Sequence, residues 1–286
     1  PYEGSANMYK GCIALTTDFG LSDPYVGVMK GVIAGINPDA RVIDISHQVQ
    51  PQNVSHGSML LATSYSYFPP GTIHLAVVDP GVGTDRAPVI VVTPEAYFVG
   101  PDNGLVSGIL QKYMSQVEVK NGQISVPEQC MALKITRSDL FLKPLSKTFH
   151  GRDIFAPIAA YISLGTSVDS LGTRVEKVVS NAIYPSTHAD GRIIGSVVYI
   201  DHFGNLITNI ENVMLEAFSD VTVQIADNVT FLRDIFNETG FPQQNDMIAL
   251  PGSNGYLEIA LPNGNASLTF KISAGAEVTV FGHVSE

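Results

Sequence analysis

The stretch Cys12-Ile13-Ala14-Leu15-Thr16-Thr17-Asp18-Phe19-Gly20 decides the fold. A short apolar run that stops at an acid and a glycine is a buried strand followed by a turn. Ser22 or Asp23 then offers a helix cap, with Pro24 at the first helical position, where a missing N–H costs nothing. Val26, Met29, Ile33 and Ile36 fall on one face of that helix, and Asn37-Pro38 ends it. Val42 to Ile45 reads as a second strand and Val54 to Tyr67 as a second helix, halted by Pro69-Pro70-Gly71. Ile73 to Val78 is a third strand, apolar except for His74, and it ends at Asp79-Pro80-Gly81. Further strands are expected at Val89 to Thr93 and Tyr97 to Gly100, and helices at Leu105 to Tyr113 and Ile154 to Leu164. Apolar strands alternating with helices mean an α/β domain with a mostly parallel sheet covered on both faces.

From about Ala189 the texture changes. Ile193 to Ile200, Val221 to Ile225, Met247 to Leu250, Tyr256 to Ala260, Leu268 to Ile272 and Val278 to Phe281 are short and β-rich. One helix is expected among them, around Asn212 to Phe218. That pattern predicts a C-terminal domain that is a compact antiparallel β unit or a small antiparallel β-barrel. Asn181 to Gly191 reads as the linker, giving domains over residues 1–186 and 187–286.

The charge follows the same division. The chain of 286 residues carries 16 Lys+Arg against 27 Asp+Glu, net −11. Through residue 186 there are 13 basic and 15 acidic residues, and after it 3 and 12, so the excess acid lies in the second part. Such a chain lacks the cations to replace counterions on a phosphate backbone, which argues against nucleic acid and anionic membranes as partners. The most membrane-like stretch, Met59 to Val78, is broken by its Pro-Pro-Gly turn. Two cysteines, Cys12 and Cys130, are too few for a disulfide framework. With no signal-peptide pattern at the start of the sequence as read, a cytoplasmic location is expected.

Open α/β sheets bind ligands outside the carboxyl ends of their strands. Asp18 and Asp79 stand at two such ends, and Asp79 opens the loop Pro80-Gly81-Val82-Gly83-Thr84, with Arg86 just beyond. The loop lacks the Gly-Lys-Ser/Thr ending of a phosphate loop and the full dinucleotide fingerprint. Phe149-His150-Gly151-Arg152-Asp153 is the densest polar cluster. Asp153 there reads as the N-cap of the helix that follows and Arg152 as a partner for a surface acid, while His150 can act at neutral pH. No second His or Cys lies at ligand spacing, so no metal is expected. In the acidic part, Asp201-His202-Phe203-Gly204-Asn205 puts a carboxylate, an aromatic face and an amide in one turn. That set is either a hairpin turn or a cradle for a flat heterocycle with a cationic neighbour, to which Ser253-Asn254-Gly255 could add contacts.

These motifs together resemble the S-adenosyl-L-methionine hydroxide adenosyltransferases, relatives of the fluorinating and chlorinating enzymes. The matching stretches are Thr16 to Gly20, Tyr25 to Gly31, Phe68 to Thr72, Val78 to Thr84, Pro101 to Leu105, Phe149 to Asp153 and Asp201 to Asn205, in family order. The resemblance implies that the C-terminal domain is a β-barrel, that no cofactor is needed, and that the protein is a homotrimer with substrate bound between neighbouring subunits. It also implies that Asp18 holds the ribose hydroxyls, Asp201 meets the methionine ammonium, Asn205 reads adenine with Phe203 beside it, and Ser253 lies near the methionine carboxylate. Asp79, Arg86 and His150 match the Asp–Arg–His set of the water-using branch. The halogenases carry Tyr in place of Asp79 and another residue in place of His150, and the fluorinating enzyme further carries an inserted loop where this chain runs directly from Arg86 to Tyr97. Val82 and Gly151 stand where the fluorinating enzyme has halide-contacting hydroxyls. The implied reaction is hydrolysis of S-adenosyl-L-methionine to adenosine and L-methionine, with water attacking the ribose C5′ opposite sulfur.

The chain departs from the pattern in three places: the polar Pro51-Gln52-Asn53, the Leu250-Pro251-Gly252 before Ser253, and a long loop over Phe236 to Asp246. Two other classes stay open at this stage, a halogenase and a non-catalytic adenosine-binding protein.

Overall fold

A computed structural model describes residues 11–181, 186–187, 192–216, 218–232 and 246–284. The expected linker and the long loop after Phe236 fall largely outside these residues. The chain divides into two compact units, Pro1–Ala182 and Ile183–Glu286.

The first unit runs β1 (Cys12–Thr17), α1 (Tyr25–Ile36), β2 (Arg41–Ser46), α2 (Val54–Ser64), β3 (Ile73–Val77), β4 (Pro88–Val92), β5 (Tyr97–Pro101) and α3 (Ser107–Gln111). It continues with β6 (Gln123–Ser125), β7 (Met131–Ile135), α4 (Ala156–Ser163), β8 (Gly172–Val175) and β9 (Lys177–Val179). Seven strands form one sheet in the order β2-β1-β3-β5-β4-β7-β8, and β6 pairs with β9 apart from it. The pairs among β2, β1, β3 and β5 are parallel, whereas those of β4, β7 and β8 are antiparallel. The sheet thus begins as a wound parallel α/β sheet and ends in antiparallel strands. β1, β3 and β5 are buried along their whole length, as their apolar runs require. β2 lies at one edge and stays half exposed, and β8 lies at the other. One core, including Leu15, Met29, Ile33, Val99 and Phe155, covers one face; a second, including Leu61, Val78, Phe98 and Leu105, covers the other.

Two local expectations in this unit are corrected. Pro24 itself occupies the N-cap of α1, and no side chain caps the helix. The helix expected from Ile154 begins as a single π-helical turn over Gly151–Phe155 before α4 takes over. Asp153 is therefore inside the turn, fully buried, and is not an N-cap.

The second unit contains β10 (Ser186–Thr187), β11 (Ile193–Ile200), β12 (Leu206–Glu211), α5 (Asn212–Leu215), β13 (Phe218–Ile225), β14 (Asn228–Phe231), β15 (Ile248–Pro251), β16 (Tyr256–Ala260), α6 (Ala266–Phe270) and β17 (Glu277–Val284). Seven strands follow the order β14-β13-β17-β11-β12-β16-β15, all antiparallel, and β10 pairs with β11. A bridge between Leu232 and Ala249 brings the two ends of this order together, so the sheet is a nearly closed barrel around Val197, Leu206, Val223, Ile259 and Val280. Leu268 to Ile272, expected as a strand, lies mostly in α6. Asn265 caps that helix by accepting the Leu268 N–H, and Lys271 ends it in the left-handed region with φ 56°.

Candidate active site

The strand order places a crevice between β1 and β3. From β1 the chain steps to β2 on one side and then crosses to β3 on the other, which is the switch point where wound sheets bind ligands. Thr17 pairs with Val77, so Asp18 and Asp79 emerge from neighbouring strand ends at this point.

Asp79 is bound by Arg86 from the same loop. Arg86 Nε donates to Asp79 Oδ1 at 2.9 Å and to Oδ2 at 3.0 Å, and Nη2 donates to Oδ2 as well. Nη2 also lies 2.9 Å from His150 Nδ1. The Arg86 and Asp79 side chains are only 9% and 5% exposed, so their attraction is little weakened by water. Beneath them the Arg86 guanidinium sits 5.1 Å from the centre of the buried Phe155 ring, a cation–π contact.

The loop geometry that makes this possible depends on Gly83. Its φ is +78°, and a Cβ there would stand 2.5 Å from the Lys147 carbonyl oxygen. Only glycine lets the loop after β3 lie against the segment that carries His150. Asn103 ties down the start of the same loop by donating its amide to the Val78 carbonyl at 2.8 Å. On the other side, Asp153 anchors the His150 segment. Its carboxylate accepts the Ser146 N–H at 2.7 Å and the Arg152 Nε–H at 2.6 Å. Arg152 therefore pairs with a buried acid and not, as expected, with a surface one.

A guanidinium has donors only, so His150 Nδ1 must accept from Arg86 and the ring is neutral with its proton on Nε2. Burial first, and the Arg86 charge second, push the His150 pKa below its ordinary 6.5, against the opposing pull of Asp79 and Asp153. Gly151, next in the chain, leaves no spare room. A Cβ there would meet Met29 Sδ at 3.2 Å and the Phe149 and Phe19 rings at 3.4 Å each. Those rings and Tyr25 form an aromatic cluster with centroids 5.2–5.9 Å apart.

Asp18 is held separately, its Oδ2 accepting the Gln52 N–H at 2.8 Å. Gln52 reaches it from a backbone with φ 63°, while Asn53 caps α2 by accepting the His56 N–H. The polar Pro51-Gln52-Asn53 stretch is thus a clamp and a cap.

In the second unit, Asp201 closes the turn between β11 and β12. Its Oδ1 accepts the Phe203 and Asn205 N–H groups at 2.9 and 2.8 Å, and its Oδ2 accepts the Asn205 side-chain amide at 2.9 Å. Asn205 is left with its amide oxygen as the unused acceptor, and the Phe203 ring is 73% exposed beside it. Ser253 is exposed in the turn between β15 and β16. The neighbouring Asn254 hydrogen-bonds Tyr199, whose pKa is raised by burial and then by the Asp201 and Glu258 charges. Burial likewise raises Glu258, with Asp201 adding to it.

The first unit thus unites Asp79, Arg86 and His150 and sets Asp18 at the adjacent strand end; the second unites Asp201, Phe203 and Asn205. Sequence reasoning missed Phe155, Asn103 and the anchoring role of Asp153. Their contacts cross gaps that no periodicity encodes.

The domain model described as the SAM hydroxide adenosyltransferase N-terminal domain matches residues 13–172, and the corresponding C-terminal domain matches residues 195–279. The chain belongs to the SAM hydroxide adenosyltransferase family. A protein of Methanocaldococcus jannaschii named (R)-S-adenosyl-L-methionine hydrolase is 34% identical over 278 residues, covering 94% of this chain and 95% of that one. A fluorinase of Nocardia brasiliensis is more distant within the same likeness, 25% identical over 313 residues and covering 96% and 98%. Among solved structures, an uncharacterized conserved protein from Thermotoga maritima superimposes with a TM-score of 0.79 at 35% identity, over 94% of this chain and 99% of that one.

Proposed function

We propose that the protein is an S-adenosyl-L-methionine hydrolase that forms adenosine and L-methionine. The observation that carries this reading is the Arg86 guanidinium shared between the Asp79 carboxylate and His150 Nδ1. It is supported by full-length likeness to proteins named for that activity.

The sulfonium needs no acid to leave. As a water oxygen bonds to C5′ from the side opposite sulfur, the C5′–S bond breaks and its electron pair stays on sulfur, giving neutral methionine. The enzyme must therefore place a water and take one proton from it. His150 Nδ1 is already occupied by Arg86, so the imidazole offers Nε2–H, which orients the water and stabilises developing hydroxide. Asp79 is left as the acceptor of the proton, with Arg86 fixing its carboxylate and adding positive potential. Alignment of this kind supplies roughly 7–11 kcal/mol, and base assistance about 10²–10⁴-fold.

Asp18, clamped by Gln52, takes the ribose diol, and Asp201 takes the substrate ammonium. Phe203 lies against adenine, the free Asn205 oxygen accepts from its amino group, and Ser253 meets the methionine carboxylate. A homotrimer with sites between subunits and a cytoplasmic location belong to the same proposal. Apolar side chains exposed on and before α1 (Leu21, Tyr25, Val28) supply surface for the first, and two free buried cysteines suit a reducing compartment for the second.

Incubation with S-adenosyl-L-methionine in the presence of chloride or fluoride tests the reading. Adenosine and methionine are expected as the products. Formation of 5′-halo-5′-deoxyadenosine would make the protein a halogenase, and retained substrate without turnover would make it a binding protein.

A further inference from the structure

Behind Asp18 runs a polar chain that the chemistry above does not use. The pairing of β1 with β2 slips by one residue, from Leu15↔Asp44 to Thr16↔Ser46, and this bulge turns the chain after β2 over the end of β1. His47 is buried there, with Nδ1 2.8 Å from Thr17 Oγ1. Its Nε2 lies 3.1 Å from Asp44 Oδ1, within ion-pair distance though off the line of a well-formed hydrogen bond. Asp44 Oδ2 in turn accepts from Lys30 Nζ of α1 at 2.7 Å. Burial works to raise the Asp44 carboxyl, but Lys30 and His47 outweigh it and hold the group below the usual range.

With a neutral ring the donors and acceptors close in one arrangement. With the proton of His47 on Nε2, facing the Asp44 carboxylate, Nδ1 accepts the Thr17 hydroxyl. Thr17 Oγ1 then accepts the Phe19 N–H at 3.3 Å. The same residue grips the turn through its backbone, the His47 carbonyl accepting the Gly20 N–H at 2.8 Å. Thr17, Phe19 and Gly20 surround Asp18 in the chain, so three of the contacts that fix its backbone pass through His47 or through the hydroxyl that His47 orients. Among the described residues the Gln52 N–H alone holds the carboxylate, and it comes from the same post-β2 segment.

We infer that His47 is a positioning residue for Asp18: the Lys30–Asp44–His47–Thr17 chain sets the strand-end turn so that the carboxylate meets the 2′ and 3′ hydroxyls of a ribonucleoside. This rests on the ribose role given to Asp18 above. The consequence is selective. Loss of His47 weakens the diol contact and leaves binding of a nucleoside without the diol as it was.

Calorimetric binding of adenosine and of 2′,3′-dideoxyadenosine to the intact protein tests this, with folding checked by thermal melting. The native protein is expected to prefer adenosine by about 10-fold, the value of a hydrogen bond to a charged group. His47→Ala reduces that preference to about 2-fold or less at unchanged dideoxyadenosine affinity, and His47→Asn, whose amide falls near Nδ1, keeps more of it. Asp18→Asn is the control and removes the preference. If Asp18→Asn removes it but His47→Ala does not, His47 does not position Asp18. If His47→Ala weakens both nucleosides equally, its role is only structural and the inference fails. If Asp18→Asn itself keeps the preference, the ribose assignment fails first.

Discussion

Arg86 spans Asp79 and His150, donating through Nε to both Asp79 carboxylate oxygens at 2.9 and 3.0 Å and through Nη2 to His150 Nδ1 at 2.9 Å. One guanidinium therefore fixes the orientation of the proposed base and the tautomer of the proposed donor. The two partners are 71 residues apart in the chain, so this single side chain unites two separate loops.

Replacing Asp79 with Asn keeps the shape of the side chain and removes both the charge and the proton acceptor. Turnover is expected to fall by about 10²–10⁴-fold. Because Asp79 is not assigned to substrate binding, KM changes far less than kcat. Steady-state kinetics with adenosine release as the readout would show the split; a large rise in KM at unchanged kcat would move Asp79 out of the reacting centre.

The acid limb of the pH–rate profile follows from His150. Protonating Nδ1 would set an N–H against the Arg86 guanidinium, and burial opposes the charge as well, so its pKa lies below 6.5. The acid limb of the activity profile is therefore expected at lower pH than an ordinary imidazole would give. Imidazole titration by NMR is expected to give a midpoint under 6.5 that rises in Arg86→Met. A midpoint above 6.5 in the native protein would contradict the arrangement.

Gly83→Ala tests how the two loops meet. The added methyl group would collide with the Lys147 carbonyl in a backbone conformation that alanine avoids. Destabilisation of more than about 1 kcal/mol is expected from the conformation alone. The proposed role of the loop adds a fall in kcat, measured at a temperature where circular dichroism shows the variant folded. Full activity in a folded variant would mean that the loop has another way to place Arg86.

His74 governs acid stability apart from the site. It is fully buried, stacked on Phe98 at 5.1 Å, and among the described residues neither ring nitrogen has a hydrogen-bond partner. Burial pushes its pKa down to about 4, so the neutral form is the one folded. Above pH 6.5 both states are neutral and nothing is lost. As pH falls from 6.5 toward 4 the unfolded chain takes up the proton first and stability drops, by roughly 3 kcal/mol in all at about 1.4 kcal/mol per pH unit. His74→Leu is expected to flatten that part of the pH dependence of the melting temperature; an unchanged slope would place the acid sensitivity elsewhere, with His56 the next candidate, its pKa also lowered to about 4 by burial.

The sequence was most readable where burial is uniform. β1, β3, β4 and β5 are apolar because both faces are covered, and their runs stand out without periodicity. β8, Gly172–Val175, escaped notice because an edge strand with Thr173 and Arg174 exposed has no apolar signature. The sequence of α6 reads as a strand because five residues are too few to show a helical period, and its sign is the Asn265 cap. The π-turn before α4 has the same apolar spacing as an α-helix start, so the burial of Asp153 could not be foreseen. At the site, Asp79 and Arg86 were legible as neighbours in one glycine-bearing loop. His150 was visible only by its company, since nothing in the spacing brings residue 150 to residue 86. The family likeness supplied that link before the geometry did.

The most direct test of hydrolysis is a single turnover of S-adenosyl-L-methionine in H₂¹⁸O, with the products analysed by mass spectrometry. Attack of water at C5′ predicts adenosine carrying one ¹⁸O at the 5′ oxygen and methionine carrying none. Unlabelled adenosine, or label in methionine alone, would contradict the account.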